Sequence, residues 1–267
     1  KDKRRWDPGA PLKRVAGERI GGELSPQQRL DALLGASLED QLKMLTMREE
    51  VMAAEALRSG RVTVTGDGYD AVVVDFGRAG ALSVTLTSND RWSIAHADSN
   101  PMEDLELWSA LVMDNDGGNA QTVVLDPIAW RRFRERIIAR GEAETLFGFQ
   151  RASKSQAEMG PMGANEDARY IGTIGTFEFW MYQQTYVDDA GSTQKLLPDG
   201  TVLMGSRALE GARCYGVIED PKAGYKSARY FTKTWTDEDP AITWLLLQSA
   251  PLVVPFRPNG ALRATVI

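Results

Sequence analysis

Between Ser37 and Gly60 the apolar residues recur at helical spacing. Leu38, Leu42, Leu45, Met52 and Ala56 fall on one stripe, and Met44, Met47 and Val51 widen it on one flank. No proline interrupts the stretch. Ser37 is placed to cap the first turn, Glu39 and Asp40 sit at the positive end of the helix dipole, and Glu39 and Lys43 form an i,i+4 pair. Gly60, after Arg58, supplies the left-handed residue that ends a helix. The pattern predicts a helix over 37–59, a rod of roughly 33 Å at about 1.5 Å per residue. A rod of that length needs a sheet or another domain along its apolar side. Ahead of it, Ser25-Pro26-Gln27-Gln28 starts a shorter helix reaching Leu34, with Gly35 separating the two.

Beyond Gly60 the period changes to two. Arg61–Thr65 and Tyr69–Phe76 alternate as strands around the turn residues Gly66-Asp67-Gly68, and 81–87 predicts a third strand. Asn100-Pro101 opens a helix to about Met113, with Leu105, Trp108, Leu111 and Val112 inward. Thr122–Leu125 reads as a short buried strand, and Asp126-Pro127 caps a helix over 128–139, giving an α/β or α+β alternation. Residues 142–167 have weak periodicity and predict an irregular stretch. Residues 170–186 are strand-rich, Asp188-Asp189-Ala190-Gly191 is a turn, and 201–204 is a strand. Residues 242–254 predict a long apolar strand broken at Pro251, and 262–267 an edge strand that closes the chain.

Composition adds three constraints. Of 267 residues 43% are hydrophobic and 25% charged, which suits a globular protein and argues against disorder. The longest apolar run near the C-terminus is too short to span a bilayer, and no signal-peptide pattern is present. The net charge is −6, whereas a nucleic-acid binder usually carries a basic excess. The first twenty residues depart from this balance: Lys1, Lys3, Arg4, Arg5, Lys13, Arg14 and Arg19 outnumber the acids, and Pro8, Gly9, Pro11 and Gly17 deny the segment a helix. It reads as a free end or as an arm ordered by a partner, and composition favours the free end.

Candidate chemistry is sparse. One cysteine, Cys214, excludes an internal disulfide and reads as a buried inert thiol; one histidine, His96, excludes any two-histidine metal site within one chain. Asp98 lies two residues from His96 with no further ligand nearby. The glycines of Gly66-Asp67-Gly68 and Gly172-Thr-Ile-Gly175 match no phosphate loop and read as a hairpin turn and a strand bulge. Arg131, Arg132, Arg134 and Arg136 form a basic helix flank, more simply a solvated face than a nucleic-acid contact. Asp188 and Asp189 could hold a cation, or form a hairpin tip. No set of acid, base and nucleophile emerges. Two alternatives stay open at this level: a carboxylate-based hydrolase or transferase using Asp188, Asp189 or Glu178, and a nucleic-acid module using the arginine helix.

The order of four stretches adds a further reading. They are Met47–Gly66, where the long helix runs into the hairpin; Val72-Val-Val-Asp-Phe-Gly77 followed by Trp92-Ser93; Val124-Leu-Asp-Pro-Ile-Ala-Trp-Arg-Arg-Phe133; and Asp239-Pro240 followed by Leu247-Gln-Ser-Ala-Pro-Leu252. In this order the sequence resembles the major capsid proteins of tailed phages, in particular the family of the phage lambda major head protein, from about Glu23 to the C-terminus. The resemblance implies an α+β fold of the Hong Kong 97 type, with a spine helix at 37–59, a peripheral-domain β-sheet and an axial α/β domain. It implies residues 1–24 as the returning part of an extended loop, 25–97 as peripheral domain, 98–227 as axial domain and 228–267 as the return to the peripheral domain. On this resemblance the family's N-terminal arm and the outgoing half of the extended loop are expected to have no counterpart in these 267 residues. The resemblance further implies a non-enzymatic shell subunit without a cofactor, a metal or a membrane partner. Its partners would be copies of itself in pentamers, hexamers or a shell, with scaffold, decoration and portal proteins and packaged DNA. It would reside in the virion, after assembly in the host cytoplasm. Arg4, Arg5, Trp6, Lys13, Arg14, Asp188 and Asp189 are then the expected subunit-interface residues.

Overall fold

The computed structural model describes residues 1–14, 18, 24–66, 69–96, 98–141, 168–188 and 190–267; the stretch 142–167, expected to be irregular, lies outside the described residues. In chain order, β1 (Asp2–Trp6) precedes the long helix α1 (Pro26–Ser59), which runs into the hairpin of β2 (Arg61–Gly66) and β3 (Tyr69–Asp75). Then come β4 (Ser83–Thr85), α2 (Pro101–Asp114), β5 (Ala120–Leu125) and α3 (Pro127–Ala139). β6 (Ala168–Ile174), β7 (Phe177–Tyr182), the small hairpin of β8 (Thr185–Val187) and β9 (Thr193–Lys195), and β10 (Thr201–Ser206) follow. The chain ends through β11 (Gly211–Tyr215), β12 (Phe231–Thr236), β13 (Thr243–Gln248), β14 (Pro251–Pro255) and β15 (Ala261–Thr265). These elements divide into two compact units. One holds Lys1–Glu50, Val64–Val72 and Arg213–Val253; the other holds Val51–Thr63, Val73–Ala212 and Val254–Ile267.

The first unit holds an antiparallel sheet in the order β1-β13-β12 and residues 26–50 of α1. β13 supplies Leu245 and Leu247 to one face and Trp244 and Leu246 to the other, the alternation a strand imposes. The expected free N-terminal end is therefore a strand over residues 2–6: Arg4 pairs with Leu245 and Arg5 with Trp244. Composition could not show this, because the order of a polar strand comes from its partner.

The two predicted helices are one. Ser25, not Ser37, caps it: Gln28 N–H donates to Ser25 Oγ (3.3 Å), and Ser25 N–H donates back to Gln28 Oε1 (2.9 Å). Gly35 lies inside the helix on an exposed face, and a Cβ placed there meets nothing within 4 Å. One glycine weakens a helix without breaking it, since the hydrogen bonds on either side continue. Gly35→Ala should accordingly raise stability by roughly 0.5–1 kcal/mol, read as a higher urea midpoint at unchanged slope. The stripe that α1 buries also differs from the apolar pattern. Gln41, Leu45, Glu49, Val51, Met52 and Ala56 are buried, while Met44 is exposed.

The second unit is built on a six-stranded sheet in the order β4-β15-β10-β5-β7-β6. The β4–β15 and β5–β7 neighbours are parallel and the other pairs antiparallel. α2 and α3 contribute Leu105, Trp108, Val112, Phe133 and Ile137 to a core shared with Val123, Leu125, Phe179, Met204 and Leu262. Asp126 caps α3 as predicted, with Oδ2 accepting from Ile128 N–H (2.9 Å) and Oδ1 from Ala129 N–H (3.0 Å). The run 242–254 is interrupted before Pro251 as expected, into β13 and β14, and Pro251 opens the second, where its missing N–H is tolerated. Two local expectations change. The strand expected over 81–87 shrinks to β4 after a turn of 3₁₀ helix at Gly80–Leu82. The closing strand β15 is not an edge: it lies between β4 and β10, with Leu262, Ala264 and Val266 fully covered. The Gly172–Gly175 motif has the bulge expected of it, with a register shift at Tyr170/Gly172, and Gly175 at φ 60° also lies in the turn between β6 and β7.

Candidate functional site

Among the described residues no group of three or more His, Cys, Asp or Glu side chains is placed to hold a metal. One cavity of about 180 Å³ lies in the second unit beside the α3 N-terminus, lined in part by Asp126, Tyr182, Lys195 and Leu197. It is smaller than the ~300 Å³ at which small-molecule pockets usually begin. No helix among the described residues is long and apolar enough to cross a membrane.

The charged side chains are organised by structure rather than chemistry. Arg4 donates Nε to Asp2 (3.0 Å) and Nη2 to Asp40 on α1 (2.7 Å), so its fork is satisfied within the chain. Its bond to Asp40, ahead of that to Asp2, pushes its pKa up. Arg5, Lys13 and Arg14 are exposed, Arg5 with a loose pairing to Asp7 at 3.6 Å, and Leu12 beside them is 70% exposed. Trp6 is half-buried and opposite Thr243. Asp188 accepts from Ala190 N–H (3.0 Å), Ser192 N–H (2.8 Å) and Gln194 Nε2 (3.0 Å), and these donors, Ser192 first, hold its carboxyl below the usual aspartate value. It shapes the tip of the β8–β9 hairpin; Asp189 lies outside the described residues.

Two expectations are corrected here. Cys214 is exposed on β11, not buried. The arginine helix is not a continuous solvated face: Arg131 and Arg132 both reach Glu135, at 3.8 and 3.4 Å, while Arg136 is buried and donates Nε to Ser99 O (2.8 Å).

The sequence reading also missed two polar clusters in the first unit. Glu49 faces inward from α1 with its side chain 1% exposed. Tyr215 hydroxyl (3.0 Å), Arg229 Nε (3.3 Å) and Arg213 Nη1 (3.3 Å) converge on its carboxylate. Burial and then the hydrogen bond to Glu49 push Tyr215 up, and Glu49 raises Arg229. The signal was present: Gln41, Leu45, Glu49 and Met52 are spaced as one helical stripe, and a carboxylate within such a stripe requires cationic partners. The second cluster lies on the opposite sheet face from Arg4. Trp235 and Trp244 stack at 6.1 Å, Lys3 Nζ sits 3.7 Å from the centroid of the Trp244 ring, and Lys233 pairs with the buried Asp220.

The Lys233 hydrogen bond, followed by the Lys222 backbone N–H, holds the Asp220 carboxyl below its ordinary 3.8. The folded chain thus prefers the carboxylate, and the stabilisation is present above pH 3.8 and lost as pH falls through the depressed value. Thermal melts of wild type and Asp220→Asn should differ most near neutral pH and converge on acidification. A gap that widens in acid would show that the ion pair is not the source.

Among the described residues charged side chains form internal ion pairs; comparisons with known proteins add the family. The family model described as phage major capsid protein E matches residues 1–266. Over 264 residues the chain is 28% identical to the major capsid protein of Escherichia phage lambda, spanning 97% of this chain and 75% of that one. Over 248 residues it is 28% identical to the major capsid protein of Enterobacteria phage P21, spanning 91% and 70%. The crystal structure of the putative capsid protein of a prophage of E. coli CFT073 superposes with a TM-score of 0.79 at 22% identity, over all of this chain and 76% of that one, which shows the shared α+β fold. A structural role replaces the hydrolase, transferase and nucleic-acid alternatives, because the family is one of shell proteins and not of enzymes. Over residues 1–266, then, the chain belongs to the phage major capsid protein E family.

Proposed function

We propose that this chain is the repeating subunit of an icosahedral head, arranged in pentamers and hexamers around packaged DNA. The observation that carries the reading is the family match over residues 1–266. The subunit's free energy of burial is completed by copies of itself, since repeated contacts around a ring add the same interface many times. Residues 1–24 serve as the returning part of an extended loop, 25–97 and 228–267 as the peripheral domain, and 98–227 as the axial domain. Exposed Arg5, Lys13, Arg14 and Leu12 support an interface role for the loop, as does the hairpin tip at Asp188. Arg4 and Trp6 take part by fixing the strand from which the loop leaves. The net charge of −6 suits a shell that encloses DNA without gripping it, since many phosphate contacts would bind it tightly. Scaffold, decoration and portal proteins are the further partners of such a shell, with assembly in the host cytoplasm and the virion as the final location.

The test is sedimentation velocity, with negative-stain microscopy, on the protein expressed alone over a range of concentrations. Rings of five or six subunits, or closed shells, are expected. A chain that stays monomeric at the highest concentration overturns the reading.

A further inference from the structure

Three arginines of the second unit gather where α1 ends, and they lack matching acids. Arg78, just after β3, donates Nη1 to Leu57 O and Nη2 to Arg58 O (2.7 Å) and Ser83 Oγ (2.7 Å). It thereby covers the last carbonyls of α1, at the negative end of the helix dipole. Arg58 lies on that last turn, and its Nε is buried without a hydrogen-bond partner. Arg263, on β15 opposite Ser83, donates Nη2 to the uncharged Thr265 Oγ1 (2.8 Å).

Burial, first, and the charge of Arg263 push both Arg58 and Arg78 down. A guanidinium keeps its proton near neutral pH, so the lowering marks positive charge short of both water and counter-charge. The groups that oppose the lowering at Arg58 are Tyr186 and the carboxylate of Glu55, whose Oε1 already accepts from Thr63 N–H (3.1 Å) and Thr63 Oγ1 (3.0 Å). None of the three arginines forms an ion pair among the described residues, and all three are half-buried rather than sealed. Guanidiniums held in place on a helix end and a strand, with one fork short of an acceptor, suit an oxyanion that binds in two-pronged fashion.

We infer that Arg58 and Arg263, seated by Arg78, form an anion site that a carboxylate from a second copy of this chain completes. The inference rests on the shell-subunit reading. The chain itself supplies suitable ligands, with 37 acidic residues against 31 basic ones. The turn between β12 and β13 presents Asp237, Glu238 and Asp239 in an exposed row. Asp237 accepts from Trp244 Nε1 (2.6 Å), whereas Glu238 and Asp239 form no hydrogen bond or ion pair among the described residues. That turn is the segment the site takes. Free phosphate shares the chemistry and is the competing source.

The experiment is a dilution series by sedimentation velocity on wild type, Arg58→Gln, Arg263→Gln and the double variant Glu238→Gln/Asp239→Asn, each with and without added phosphate. Arg78 stays intact because it caps α1. Each variant should weaken association by at least about tenfold, while thermal melts of the dissociated chains stay at or above wild type. Phosphate should weaken association of wild type and leave Arg58→Gln unaffected. The charge exchange Arg58→Glu with Glu238→Arg should recover association that either change alone removes. Wild-type association by both arginine variants overturns the inference and leaves the shell reading standing. So does phosphate binding that requires Arg58 while association ignores it, because the ligand is then a free anion. A wild type that never associates overturns both. If Arg58→Gln fails to fold, Arg263→Gln carries the same test.

Discussion

Phe133→Ala should remove about 3–5 kcal/mol from the stability of the second unit. Phe133 is fully buried on α3, with ring centroids of Phe179 at 5.2 Å, Trp130 at 5.6 Å and Trp92 at 5.7 Å. Trp92 in turn stacks on Trp108 at 5.8 Å and donates Nε1 to Asp104 (2.7 Å). The ring thus joins α3, β7 and the segment before α2, and Trp92 extends the cluster to α2. Stiff aromatic neighbours cannot collapse into the gap left by truncation, so the cavity penalty adds to the lost burial. With typical domain stabilities of about 5–15 kcal/mol, this is enough to leave part of the population unfolded at 37 °C. Urea denaturation followed by tryptophan fluorescence measures it. Phe133→Leu, which refills most of the volume, should cost about 1–1.5 kcal/mol. Equal losses for the two variants would mean that volume is not what the site requires.

Leu45→Asp should abolish soluble folding. Leu45 is 7% exposed on α1, with Gln41 and Glu49, both nearly fully buried, one turn away on either side. The new carboxylate would stand four residues from Glu49, whose cationic partners Arg213 and Arg229 are already engaged. Two like charges at that spacing repel, and burying an unpaired carboxylate costs several kcal/mol before the lost leucine contacts are counted. Leu45→Met keeps volume and apolarity and should cost less than about 1.5 kcal/mol. Soluble yield and a thermal melt decide the matter; a melt like that of wild type for Leu45→Asp would show that this face of α1 does not bear on the first unit's core.

Much of the second unit is legible in the sequence. Asn100-Pro101 marks a helix start through proline's fixed backbone, Asp126-Pro127 does so through the Asp126 cap as well, and both helices begin there. Buried strands such as β5 announce themselves as apolar runs. Gly35 misleads because a glycine's cost is small beside the turns that flank it. Ser37 misleads because a serine is a cap only where the helix begins. β15 reads as an edge because its position in the sheet depends on β4 and β10, which lie far away in the chain. The expected interface residues are selected by type. Type alone does not separate Arg4, spent on Asp2 and Asp40, from exposed Arg5 and Arg14.

The sequence by itself determined α2 and α3, the Asp126 cap, the strand periods and, through the order of its motifs, the family. These rest on interactions between residues a few positions apart, which a linear reading can follow. Only the tertiary structure decided that a basic N-terminal segment pairs with β13, that Glu49 meets an arginine 180 residues away, and that Arg58, Arg78 and Arg263 share one place. Strand partners and buried charges are selected by whatever the whole fold brings alongside them, and no local spacing encodes that choice.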